Sequence, residues 1–70
     1  MTVEQKKKDL EEMLNFYSRR AAYFINEGKE DFAEINADRV RQIQEVLGVL
    51  GYETKSIYYT TYTCYKISEK

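Results

Sequence analysis

Seventy residues with 11 Lys and Arg against 12 Asp and Glu, one cysteine and no histidine make one domain, 1–70, whose own core is thin. The lone Cys64 excludes an intrachain disulfide, and without imidazoles or a Cys-x-x-Cys pair no tetrahedral zinc set exists, which leaves self-association or partner binding as the supplement so short a chain needs. A net charge of −1 gives no strong field toward nucleic acid or anionic membrane, and neither a signal-peptide core nor a run of about 18 apolar residues occurs, so a cytoplasmic, non-membrane protein without a cofactor is expected.

Thr2 and Gln5 have the spacing of a capping box, which starts a first helix at about residue 3. Val3, Leu10, Met13, Leu14, Tyr17, Ala21, Phe24 and Ile25 then recur at three- and four-residue steps and share one face, predicting a helix over about 3–27. Gly28 stands where a left-handed residue ends a helix, and Glu30 and Asp31 suit the positive end of the next. The second helix is expected over about 30–50, with Phe32, Ile35, Val40, Ile43, Val46, Leu47 and Leu50 on its stripe, Gly51 at its end and Tyr52 folding back over Leu47. The short turn and similar lengths predict an antiparallel αα-hairpin.

After Gly51 the composition changes. Residues 52–67 are dominated by tyrosine, threonine and isoleucine, which favour strands. A run this long exceeds one ordinary strand, so it predicts either two strands broken near Thr60-Thr61 or one long arm that pairs with another chain. Alternation along a single strand would set Ile57, Tyr59, Thr61, Thr63, Tyr65 and Ile67 on one face and Tyr58, Thr60, Tyr62 and Cys64 on the other. The expected fold class is α+β: an antiparallel two-helix hairpin followed by a C-terminal β-strand or β-hairpin, completed by oligomerisation.

Three groups of residues are candidates for partner binding. Asn36 and Arg39 project within about 30 to 40° of the centre of the second helix's stripe, where either Asn36 bonds locally and Arg39 snorkels to the edge or pairs with a carboxylate or a tyrosine hydroxyl, or the two fix register against a partner. Phe16, Arg20 and Tyr23 form a second strip on the first helix. The β segment is expected to cover it; uncovered, it has the composition of a binding hot spot. Tyr58, Tyr59, Tyr62 and Tyr65 offer either cross-strand packing or a recognition face, beside an edge open to strand addition. The Lys6-Lys7-Lys8 run is offset by Asp9, Glu11 and Glu12, and Asp31, Glu34, Asp38 and Glu45 make a solvated acidic stripe.

No catalytic constellation is present. Histidine is absent, Cys64 has no evident activator, and no Gly-rich phosphate loop occurs. The expected function is a small non-enzymatic interaction or regulatory module that pairs with itself and with another protein. Its size suits a phage or mobile-element accessory protein or an inhibitor. One alternative is a nucleic-acid-binding regulator using Arg19, Arg20, Arg39 and Arg41 for phosphates, which the charge balance argues against. The other is an oligomeric small-ligand-binding subunit, with Asn36, Arg39 and nearby tyrosines around the pocket.

Overall fold

The computed structural model describes residues 2–58 and 62–69, without the side chains of Val3 and Tyr58. The element order is α1 (Val3–Asn26), α2 (Glu30–Val49), β1 (Tyr52–Tyr58) and β2 (Thr63–Glu69). This is the predicted α+β arrangement, with the two-stranded alternative realised for the β segment. The Thr60-Thr61 break point lies outside the described residues, between the two strands.

Local chemistry sets the helix ends. The Thr2 hydroxyl oxygen accepts the Gln5 N–H at 3.1 Å, supplying one of the donors that the first turn leaves without a helical partner. At the other end Gly28 has φ +74°, and the chain closes a Schellman turn: Gly28 N–H donates to the Ile25 carbonyl at 3.0 Å and Lys29 N–H to that of Phe24 at 2.8 Å. Gly51, at φ +93°, repeats the left-handed stop after α2, its N–H donating to Gly48 O at 3.2 Å. Tyr52 then packs onto the cluster containing Leu47. No helix of the described residues is long and apolar enough to cross a membrane.

The helices lie antiparallel, and the β-hairpin covers one side of the pair, β2 against α1 and β1 against α2. The core is small. Leu14, Val40, Leu47 and Ile67 form its buried cluster, ringed by Leu10, Tyr17, Ile43, Tyr52 and Tyr65, and among the described residues only Leu14 and Leu47 are wholly enclosed. Two strands alone are marginal in water, so the hairpin owes its place to this helical platform.

The strands pair antiparallel with Thr54 opposite Ile67, Ser56 opposite Tyr65 and Ile57 opposite Cys64. Residues opposite one another share a sheet face, so Tyr65 and Ile67 face the helices with Thr54 and Ser56, while Ile57 lies on the outer face with Cys64. This differs from the single-strand alternation, which grouped Ile57 with Tyr65 and Ile67. The reversal between the strands restarts the pleat in a different phase.

The stripe expected on α2 is rotated. Ala33, Asn36, Val40 and Leu47 are buried, whereas Phe32, Ile35, Val46 and Leu50 are exposed. Small Ala33 lets the helices approach, and Asn36 enters the core because its amide donates to the Phe32 carbonyl at 2.8 Å, one turn back. On α1, Met13 and Ile25 are likewise exposed rather than core.

Candidate interaction surface

The side of α1 that receives the hairpin is polar. The Asn15 side chain accepts the Tyr65 N–H at 2.7 Å and donates to the Tyr65 carbonyl at 3.2 Å; Glu11 Oε2 accepts the Ile67 N–H at 3.0 Å; the Ser18 hydroxyl donates to the Thr63 carbonyl. Three or four residues of helix rise about 4.5 to 6 Å and two residues of strand about 6.7 Å, close enough for the side chains of Glu11, Asn15 and Ser18 to reach backbone groups at Ile67, Tyr65 and Thr63 in turn. The helix thus stands where a third strand would, and the outer edge of β2 is closed to strand addition.

Because the backbone of Tyr65 and Ile67 points at α1, the residues opposite them, Ser56 and Thr54, point their N–H and C=O groups away from β2. The edge of β1 is therefore the sheet's second border. Gln44 of α2 reaches it, donating to the Thr54 hydroxyl oxygen at 3.1 Å.

With the hairpin on the Glu11–Ser18 side, the strip formed by Phe16, Arg20 and Tyr23 stays uncovered, contrary to the expectation that the β segment packs there. Phe16 and Tyr23 are about half exposed, at 45% and 58%. The Arg20 guanidinium lies 5.5 Å from the Phe16 ring centroid and 5.3 Å from that of Phe24, a cation held between two π faces. Phe24 in turn contacts Phe32 across the helix pair, with centroids 5.4 Å apart.

That contact joins the α1 strip to the outer stripe of α2. Phe32, Ile35, Arg39, Gln42, Val46 and Val49 follow one another at alternating steps of three and four residues, the spacing of a helix-packing seam, and all are exposed. Val49 is 88% accessible and the other apolar members about half. A helix that carries one seam toward α1 and a second toward solvent has the pattern of a helix with two helical neighbours.

The remaining predicted residues fall elsewhere. Asn36 is inside the hairpin and bonded to its own helix, so it is not on this face, while Arg39 is exposed in the middle of it. Tyr65 is half-buried against the helices. Tyr62 is half-buried beside Ser18 and Gln44, in a shallow cleft of about 380 Å³ that neither Asn36 nor Arg39 lines. The Tyr58 side chain and all of Tyr59 lie outside the described residues. The face's further members, Phe24, Phe32, Ile35 and Val46, were legible only as core candidates. Their second seam, offset by one residue from the first, is the signal that separates them.

No protein-family model matches the chain, and no curated protein and no solved structure matches it.

Proposed function

We propose that this chain is a small non-enzymatic protein–protein interaction module that works through the helical face opposite its hairpin. One observation carries the reading: the contiguous face on which Phe16, Arg20, Phe32, Ile35 and Val46 are exposed around a half-buried Phe24, on a protein whose core wholly encloses, among the described residues, only Leu14 and Leu47. Aromatic and arginine side chains dominate binding hot spots because they bring large contact area with few rotors to freeze. Arg20, already ordered over two rings, loses little further freedom on binding. The free thiol of Cys64 suits a reducing, cytoplasmic setting.

A face-directed pull-down tests the reading. The chain immobilised through its C-terminus is expected to retain protein from solutions of itself and from extract of its own cells, and the double variant Ile35→Glu, Val46→Glu to retain none of it. Both positions are exposed, so the variant folds. Equal retention by the two forms, or none by either, refutes the reading.

A further inference from the structure

We infer that the occupant of the α2 face is a second copy of this chain, docked so that the two α2 helices run antiparallel about a two-fold axis passing between Val40 and Arg41. The inference rests on the interaction reading above and names its partner. The seam reads the same in both directions. Set antiparallel on its own copy, Phe32 meets the copy's Val49, Ile35 meets the copy's Val46, and Arg39 meets the copy's Gln42. Every apolar member faces an apolar one, and the polar pair sits at the centre. A parallel arrangement would instead stack Arg39 directly on Arg39.

Charge supports the same register. Asp31, Asp38 and Glu45 flank the seam on one side, seven residues apart, and would repel their copies were nothing set between them. In the antiparallel arrangement each Arg39 lies over the copy's Gln42, whose neighbours one turn either way are the copy's Asp38 and Glu45. Each guanidinium is thus brought toward the copy's Glu45 and toward the copy's Asp38, which also pairs with Arg41 of its own chain. Within one chain the only ion pair among the described residues is Arg41 with Asp38, which leaves Arg39 available for this role.

Area is adequate. A 20-residue α2 is about 30 Å long and a helix pair about 20 Å across, roughly 600 Å² in projection, near the ~800 Å² per partner of stable interfaces. The product is two helix pairs stacked face to face, with a β-hairpin on each outer side.

Light scattering during size-exclusion chromatography at tens of micromolar is expected to give twice the chain's 8.4 kDa. Arg39→Glu, at an exposed position, is expected to weaken dimerisation at least tenfold by placing an acid among acids. Register is read by disulfide trapping in a Cys64→Ser background under mild oxidant. Equimolar Ile35→Cys and Val46→Cys chains should form the mixed dimer. Neither alone should cross-link, because like residues lie about 16 Å apart along the antiparallel pair. A monomer at every concentration, an Ile35→Cys self-cross-link, or a dimer indifferent to Arg39→Glu overturns the assignment. If the chain is monomeric yet its face still retains protein from extract, the second copy is wrong and the interaction reading stands; a monomer that retains nothing ends both.

Discussion

Replacing Asn15 by alanine removes both bonds that tie the middle of β2 to α1, those to the Tyr65 N–H at 2.7 Å and the Tyr65 carbonyl at 3.2 Å. A net hydrogen bond contributes about 1 kcal/mol, and a half-buried backbone pair that loses its partners also bears part of their desolvation cost, so a loss of roughly 2 to 3 kcal/mol is expected. A domain of this length is stable by only about 3.5 to 10 kcal/mol at the usual ~0.05 to 0.15 kcal/mol per residue, so the change is a large share of the whole. At ~4 to 8 °C per kcal/mol for a small domain, the midpoint should fall by roughly 8 to 24 °C. Urea unfolding followed by far-ultraviolet circular dichroism, at one fixed chain concentration so that any dimerisation is held constant, measures the loss. Amide exchange locates it, since Tyr65 should lose protection while the helix interiors keep theirs relative to global unfolding. A change below about 0.5 kcal/mol, within the scatter of ordinary surface substitutions, would refute the view that α1 serves as the third strand of the sheet.

Leu47→Ala, at a wholly enclosed position in a core this small, should cost about 2 to 5 kcal/mol and leave the protein largely unfolded at 37 °C by thermal melt. Gly48→Ala should instead stabilise by roughly 0.5 to 1 kcal/mol, because a Cβ there meets nothing within 4 Å and alanine suits a helix interior better than glycine; a lowered melting temperature would contradict this. Gly28→Ala should destabilise by about 1 to 2 kcal/mol although it too finds open space, since φ of +74° strains any residue with a Cβ. Equal chemical-denaturation midpoints for Gly28→Ala and Gly48→Ala would show that conformation, rather than space, is not the deciding term.

Much of the architecture was legible along the chain. Thr2, Gly28 and Gly51 mark helix ends by local chemistry, a side-chain acceptor for an unpaired N–H and two residues able to turn left-handed, and the structure uses all three as read. The switch at Tyr52 from three-and-four-residue periodicity to β-branched and aromatic residues located the sheet. The candidate face was only half legible. Phe16, Arg20 and Tyr23 form an exposed strip because nothing covers them, but the sequence placed the hairpin there, since a strip beside the main stripe resembles a second buried side.

What the sequence by itself determined is therefore what depends on neighbours a few residues apart: where each helix and strand begins and stops, and that the chain has more apolar surface than it can bury. Only the tertiary structure decided which apolar residues go inside. Phe32 and Ala33 differ by about 100° on the same helix, and a broad stripe allows either to face α1. Close packing against α1 selected Ala33, while the polar row Glu11, Asn15 and Ser18 drew β2 to the other side of α1 through backbone bonds that no side-chain pattern announces. Those two choices leave Phe32, Ile35 and Val46 facing out, because a single hairpin covers one side of a two-helix layer and leaves the other exposed.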